Sequence, residues 1–151
     1  MRLQAETITG KRILLVEDER AVRETLRLML LRDSHVVVEA NNGAEAFALF
    51  LSAKFDLVLT DFEMPFAKGD ELAAKIKRVA PSQPILMITA FDRKPSLGNP
   101  VNAVLNKPFD LEQLQETITR LLSQPGENDR SAQWNRNGSE NEAVLPSTNR
   151  W

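Results

Sequence analysis

Short apolar runs alternate with amphipathic segments along most of the chain. Runs of this kind, without polar alternation, are typical of parallel strands that are buried on both faces. In the amphipathic segments the apolar residues recur every three or four positions, which indicates helices with one buried face. The pattern therefore predicts alternating strands and helices, with strand cores at residues 13–16, 36–38, 57–59, 85–88 and 101–105.

Start signals accompany two of the predicted helices. The sequence Asn-Asn-Gly at 41–43 forms a turn before the second helix, and Asp110 followed by Gln113 forms a capping pattern before the last. The alternation places the chain in the α/β class, as a flavodoxin-like (βα)5 doubly wound parallel sheet with strand order 2-1-3-4-5. Residues 90–100 contain two prolines, a glycine and an asparagine. The fourth helix is therefore expected to be shortened or absent.

The composition changes near residue 124. From there to residue 151 the chain is rich in Asn, Ser, Glu, Gly and Pro and has no apolar periodicity. Such a segment cannot bury enough apolar surface to offset its ordering entropy, so we expect a disordered polar tail. The predicted organisation is an N-terminal extension over 1–10, one domain over 11–123 and the tail over 124–151.

Composition and charge exclude several classes of function. The chain has 151 residues, and 19 Lys and Arg against 21 Asp and Glu leave a net charge of −2, which argues against a nucleic-acid partner and a polybasic membrane anchor. No apolar run approaches the roughly 18 residues of a membrane span, and the N-terminus has no apolar signal region, so a cytoplasmic location is expected. The absence of cysteine excludes disulfides, thiolate zinc sites and cysteine nucleophiles.

Polar residues that could bind a ligand or react lie at the carboxyl ends of the predicted strands, where open α/β sheets bind ligands. Glu17 and Asp18 follow the first strand, Asp61 ends the third, Thr89 the fourth and Lys107 the fifth. Strands one and three are neighbours about 4.8 Å apart, so their three carboxylates would repel one another unless a cation intervenes. Such oxygen ligands suit Mg²⁺.

Each of these residues also has an ordinary structural interpretation. A single aspartate after a strand is usually a turn or helix-cap residue, and a single lysine is usually exposed. Their joint occurrence at four strand ends favours a site. The charged residues of the first helix are instead expected to form a solvated face, and His35 is expected to be structural or exposed. That face comprises Arg20, Arg23, Glu24 and Arg27.

These residues, in this order, resemble the receiver domain of two-component response regulators. The resemblance covers roughly residues 11–123, and it is specific because the acidic pair, the DxxMPxxxG pattern, the Thr-Ala pair and the Lys-Pro-Phe sequence occur together. The matching segments are ILLVEDE (13–19), EANNGAEAF (39–47), DLVLTDFEMPFAKGDEL (56–72), ILMITA (85–90) and NKPF (106–109).

The resemblance implies a magnesium site and a phosphorylated aspartate. Asp61 matches the phospho-acceptor and also a metal ligand. Glu17 and Asp18 match the acidic pair that holds Mg²⁺, and Glu63 matches the position that lends it a backbone carbonyl. These assignments are what the family implies for this chain.

Two further positions carry roles in the family. Thr89 matches the switch hydroxyl that turns toward the new phosphate oxygens. Lys107 matches the phosphate-binding lysine, and its bond to Pro108 is cis in the family. One departure is Val104, because the family often places Tyr or Phe three residues before the lysine. With the short fourth crossover, this departure indicates an altered output surface.

The resemblance implies a single-domain response regulator that accepts a phosphoryl group from a sensor histidine kinase and then binds a target protein. It does not imply a metabolic enzyme. One alternative is a phosphorelay intermediate that passes the group from Asp61 to a histidine phosphotransfer protein. A remote alternative is a haloacid-dehalogenase-type phosphatase with Asp61 as nucleophile and Glu63 as acid/base. That family, however, places its nucleophile on the first strand.

Overall fold

The computed structural model describes residues 7–64, 68–90 and 101–123. Its five strands form one sheet in the order β2-β1-β3-β4-β5, and every neighbouring pair is parallel. This arrangement confirms the predicted α/β architecture and strand order. In chain order the elements are β1 (Arg12–Val16), α1 (Arg20–Leu31), β2 (Val36–Ala40), α2 (Gly43–Ser52), β3 (Leu57–Asp61), α3 (Gly69–Val79), β4 (Ile85–Ala90), β5 (Ala103–Lys107) and α4 (Leu111–Ser123).

Helices cover both faces of the sheet, which explains the continuous apolar runs. Side chains alternate between the faces along each strand. On β1, Leu14 and Val16 pack in a core with residues of α2 and α3, whereas Ile13 and Leu15 pack in a second core with residues of α1 and α4. The two cores pack against opposite faces of the central strands, so the backbone that carries the side chains at the strand ends is held in place.

The predicted helix starts are confirmed in detail. The Asn42 side chain accepts a hydrogen bond from Glu45 N at 2.7 Å, and the Glu45 carboxylate accepts one from Asn41 N at 2.9 Å. Before α4 the side chains of Asp110 and Gln113 each accept a hydrogen bond from the backbone N–H of the other, at 2.8 and 2.9 Å. Each pair satisfies two backbone N–H groups that would otherwise lack partners at the start of α2 and of α4.

The last strand begins two residues later than the apolar pattern indicated. Asn102 precedes β5, and its side-chain oxygen accepts hydrogen bonds from Ile85 N at 2.9 Å and Lys77 Nζ at 2.8 Å. The Asn102 side chain thus accepts the hydrogen bond from Ile85 N that a backbone carbonyl of a neighbouring strand would otherwise accept. The expectation of a shortened fourth helix falls on residues 91–100, which lie outside the described ranges, as does the predicted tail.

His35 has a structural role, as expected. It is buried, and its Nδ1 accepts a hydrogen bond from Lys11 N at 3.0 Å, which ties the start of β1 to the turn before β2. Burial lowers the pKa of His35. Upstream, Ile8 N donates to Thr119 Oγ1 at 3.4 Å, so the described part of the N-terminal extension contacts α4. None of the helices in the described ranges has the length and apolar character of a membrane span.

Candidate functional site

Three carboxylates meet where β1 and β3 end. Val16 on β1 is the register partner of Thr60 on β3, so the next residue along each strand brings Glu17 beside Asp61. One oxygen from each of Glu17, Asp18 and Asp61 lies within 4.8 Å of the others. Glu17 and Asp61 are buried, whereas Asp18 is exposed. The sequence-predicted acidic cluster is therefore assembled in the structure, open to solvent on the Asp18 side.

A lysine from β5 reaches this cluster across β4. Lys107 Nζ lies 3.3 Å from Asp61 Oδ1. The two strands are separated by β4, on which Ile88 is the register partner of Asp61 and Ala90 that of Lys107. The lysine stem therefore spans the width of one intervening strand. The peptide bond between Lys107 and Pro108 is cis.

The two remaining predicted residues lie at the same edge of the sheet. Thr89 is buried on β4, one residue beyond the register partner of Asp61. Glu63 is partly buried and follows Asp61 by two residues, in the segment that leads toward α3. All six predicted residues thus belong to one rim, formed by the carboxyl ends of four strands.

Burial dominates the electrostatics of the cluster. It raises the pKa of Glu17 to about 7, helped by the nearby Asp61 charge and opposed by a hydrogen bond from Glu19 N. Burial also raises the pKa of Asp61, while Lys107 lowers it. Among the described residues, Glu17 Oε1 is buried without a hydrogen-bond partner. An unsatisfied buried carboxylate oxygen beside two other carboxylates fits the oxygen ligand set of a hard divalent cation.

A glycine at the start of α3 packs tightly against the end of β3. Gly69 N donates to Phe62 O at 2.9 Å, and Phe62 N donates to Ile88 O at 2.7 Å. A Cβ atom at Gly69 would lie 2.4 Å from the backbone oxygen of Asp61, far inside any allowed contact. The start of α3 therefore packs directly against the backbone that carries the Asp61 carboxylate.

The structure corrects one expectation about the first helix. Arg23 was expected on a solvated face, yet its side chain is only 18% exposed and its Nη1 donates to Glu17 O at 2.8 Å. Its Nε contacts Glu39 Oε1 at 3.1 Å. The spacing carried a signal for this contact, because a residue in the first turn of a helix that follows directly on a strand can reach back to the last carbonyls of that strand.

The curated proteins of similar sequence include several response regulators. The response regulator MprA of Mycolicibacterium vanbaalenii is 38% identical over 115 residues, which are 74% of this chain and 50% of MprA. The chain thus spans about half the length of the curated relatives it matches.

Solved structures share the fold of this chain. The response regulator TrrA of Thermotoga maritima, in complex with Mg²⁺-BeF, is 34% identical with a TM-score of 0.70, over 74% of this chain and 99% of TrrA. The receiver domain of the sensor histidine kinase PA1611 of Pseudomonas aeruginosa, with a magnesium ion in its active site cleft, is 25% identical with a TM-score of 0.70, over 77% and 100% of the two chains.

The family assignment rests on the length and position of the match. The sequence profile of the response regulator receiver domain matches residues 13–119, which begin in β1 and end in α4. The match therefore includes all five strands and the whole acidic rim. This chain belongs to the response regulator receiver domain family of two-component signalling proteins.

Proposed function

We propose that this domain is a phosphorylation switch: Asp61 accepts a phosphoryl group from a sensor histidine kinase, and the phosphorylated domain binds a target protein. The observation that carries the proposal is the placement of the Asp61 carboxylate, buried between two further carboxylates and the Lys107 ammonium, which lies 3.3 Å away. An acidic nucleophile held between a cation site and a fixed ammonium suits transfer to or from a phosphoryl group.

The proposed transfer needs no general base. An ionised Asp61 oxygen forms the new O–P bond while the P–N bond of the phosphohistidine donor breaks and its imidazole leaves. Glu17, Asp18 and Asp61 would hold Mg²⁺ with their carboxylates, and Glu63 would add a backbone carbonyl. When bound, the ion neutralises charge on the transferring phosphoryl oxygens. Lys107 orients those oxygens from the other side.

Phosphorylation would then be read through Thr89. The aspartyl phosphate adds about −1.5 to −2 charges at a rim that is already acidic, by analogy with other phosphorylated side chains. The Thr89 hydroxyl lies at the end of the neighbouring strand and can donate to the new oxygens. A change of its side-chain position would bias the surface around β4 and β5 between two states.

A second candidate function has one observation in its favour. Val104 occupies the position where many family members carry an aromatic side chain, and it is 40% exposed. The aromatic movement that the resemblance couples to the threonine is therefore unavailable. A phosphorelay intermediate, which hands its phosphoryl group from Asp61 to a histidine phosphotransfer protein, needs no such movement.

The phosphatase alternative has less support. Asp61 lies at the end of β3, the third of the described strands, and not on the first strand where that family places its nucleophile. The alternative also leaves Glu17 and Asp18 without a role. Failure of the protein to turn over a generic phosphatase substrate would agree with the switch or the relay.

The proposed domain boundaries are 11–123 for the receiver domain, with an extension over 1–10 and a tail over 124–151. The family match over 13–119 supports them. Deletion of residues 125–151 is expected to leave the melting temperature and the phosphotransfer rate unchanged, and a loss of several degrees would overturn the boundary at 123.

We also propose a cytoplasmic location, where a sensor kinase has access to ATP.

Phosphotransfer profiling against the histidine kinases of the same genome tests the function. The switch predicts label on the wild-type protein from one kinase, none on Asp61→Asn, and a partner captured only with an acyl-phosphate mimic present. The relay predicts that the label moves on to a histidine phosphotransfer protein. Labelling by none of the kinases would overturn both.

A further inference from the structure

We infer that Arg23 is a positioning residue that fixes the Glu17–Asp18 peptide and thereby sets the affinity of the acidic pocket for Mg²⁺. The inference rests on the proposed function of that pocket. Among the contacts of the described residues, Arg23 itself touches neither a carboxylate of the pocket nor any group expected to react. It contacts the backbone oxygen of Glu17, through a hydrogen bond of 2.8 Å from its Nη1.

Both backbone groups of Glu17 are held by different elements. Its N–H donates to Ala40 O at 3.1 Å, at the end of β2, and its C=O accepts from Arg23 on α1. The bond to Ala40 fixes the Val16–Glu17 peptide, and the bond from Arg23 fixes the Glu17–Asp18 peptide that follows it. Because Asp18 is exposed, its own packing does little to orient its carboxylate, and the direction in which that carboxylate points depends on this peptide.

The Arg23 side chain is itself fixed by an ion pair with β2. Its Nε lies 3.1 Å from Glu39 Oε1, while the other Glu39 oxygen lies 3.6 Å from Arg27 Nε. A guanidinium presents several N–H donors in one rigid plane, so it can hold Glu39 and the Glu17 carbonyl at once. Lysine has one nitrogen on a flexible stem and lacks this geometry.

The charge of Arg23 cannot by itself explain a favourable effect on Mg²⁺. A cation beside the pocket repels another cation, although Glu39 offsets part of that repulsion. Any benefit must therefore come from geometry. Mg²⁺ demands near-ideal octahedral geometry at short distances, so a small tilt of the peptide before Asp18 weakens binding.

These two effects of Arg23 have opposite signs, which makes the inference testable. Arg23→Met removes the charge and the hydrogen bond but keeps an unbranched side chain. If only charge mattered, this variant would bind Mg²⁺ more tightly. We expect it to bind about tenfold more weakly, the lower end of the range for loss of a group that orients a metal ligand.

Two further variants separate geometry from charge and from general effects on α1. Arg23→Lys keeps the charge but not the planar fork, so its Mg²⁺ affinity is also expected to fall several-fold. Arg27→Met is the matched control, because Arg27 lies on the same helix and pairs with the same Glu39 but has no hydrogen bond to Glu17. Its affinity is expected to stay within twofold of the wild type.

The experiment titrates the full chain with Mg²⁺ and follows backbone amide shifts by NMR, without any phosphodonor. Melting temperatures in the absence of Mg²⁺ report the fold of each variant. Phosphorylation by a small acyl-phosphate donor is then measured at low and at saturating Mg²⁺. The inference predicts that saturating Mg²⁺ restores the rate in Arg23→Met, which a general loss of structure would not allow.

The outcomes separate this inference from the proposed function. If the wild type shows no saturable Mg²⁺ binding, the proposed function fails. If the wild type binds and Arg23→Met binds equally well or more tightly, the inference on Arg23 is overturned. Should Arg23→Met not fold, Arg23→Lys carries the same test, because it keeps the charge: weaker binding supports the inference, and unchanged affinity overturns it.

Discussion

The ammonium of Lys107 lies 3.3 Å from Oδ1 of Asp61, although β4 separates the strands that carry them. The ion pair opposes the effect of burial, which raises the pKa of Asp61. It therefore favours the ionised carboxylate that the proposed transfer requires. Under the proposed function, the same ammonium would lie beside the oxygens of a phosphoryl group on Asp61.

Replacement of this lysine should expose both effects. In Lys107→Ala the pKa of Asp61 is expected to rise further, because the cation that favours its ionised form is gone. Phosphorylation-dependent binding of a partner should be lost or strongly reduced. Carboxyl NMR titration of Asp61 measures the first effect. Lys68→Ala is the control, since Lys68 lies over the Phe62 ring and forms no ion pair with Asp61 among the described contacts; an equal shift in both variants would contradict the assignment.

Mg²⁺ should stabilise the unphosphorylated protein. An ion that binds only the folded state adds roughly 1.4 kcal/mol at ten times its dissociation constant, which corresponds to a rise of a few degrees in melting temperature. Asp18→Ala should blunt this rise without disturbing the core, because Asp18 is exposed. Thermal unfolding with and without Mg²⁺ measures it. The same rise in the variant would remove Asp18 from the metal site.

The pocket should also make stability depend on pH in the absence of metal. The pKa of Glu17 is raised from 4.5 to about 7 in the folded protein, so the folded state holds a proton that the unfolded chain has already lost. Its stabilisation is complete below pH 4.5 and disappears as the pH rises through about 7, a loss of about 3 kcal/mol. Asp61, whose pKa burial also raises, contributes with the same sign.

Urea unfolding in EDTA at pH 5 and pH 7.5 tests this dependence. His35 acts in the opposite direction, since burial lowers its pKa and its contribution is lost as the pH falls below 6.5. The comparison with Glu17→Gln isolates the carboxyl. In Glu17→Gln the free energy of unfolding should fall much less between pH 5 and pH 7.5 than in the wild type. The wild type should also bind Mg²⁺ more tightly at pH 7.5 than at pH 5, and the variant should lose most of this increase. An equal pH dependence of the unfolding free energy in the wild type and in Glu17→Gln would contradict the raised pKa of Glu17.

Close packing at Gly69 gives a structural prediction. In Gly69→Ala the new methyl group would meet the Asp61 carbonyl, so the start of α3 must move away from the end of β3 at a cost of about 1–3 kcal/mol, and Mg²⁺ affinity should fall with it. Gly10→Ala is the matched control. It forces a side chain into a positive φ of 72° in open space, so it should cost about 1–2 kcal/mol and leave Mg²⁺ affinity unchanged. Equal affinities in the two variants would contradict the proposed packing.

The fold and the acidic rim were predictable because both depend on local sequence. Parallel strands buried on both faces leave continuous apolar runs, and the residue that follows each run must lie at the carboxyl edge. Glu17, Asp61 and Lys107 could therefore be placed from strand order alone. Helix starts at Asn42 and Asp110 were predictable for the same reason, since a capping pattern is completed within four residues.

Other contacts were not encoded in the pattern of apolar positions. Arg23 reads as one of several charged residues on an amphipathic helix, and only the packing of α1 against the end of β1 brings it to the Glu17 carbonyl. The delayed start of β5 depends on Asn102, whose side chain joins β4 to α3 through Ile85 and Lys77. The Arg23 contact depends on how α1 packs on the end of β1, and the Asn102 contacts join elements distant in sequence; apolar periodicity encodes neither.

The most direct test of the account asks where a phosphoryl group is attached. The protein is incubated with a small acyl-phosphate donor and Mg²⁺, reduced with borohydride, which converts an aspartyl phosphate to homoserine, and mapped by peptide mass spectrometry. We expect conversion at Asp61, dependence on Mg²⁺, and no conversion in Asp61→Asn, which is nearly isosteric but cannot form the acyl phosphate. Conversion at another aspartate, or labelling of Asp61→Asn at full yield, would contradict it.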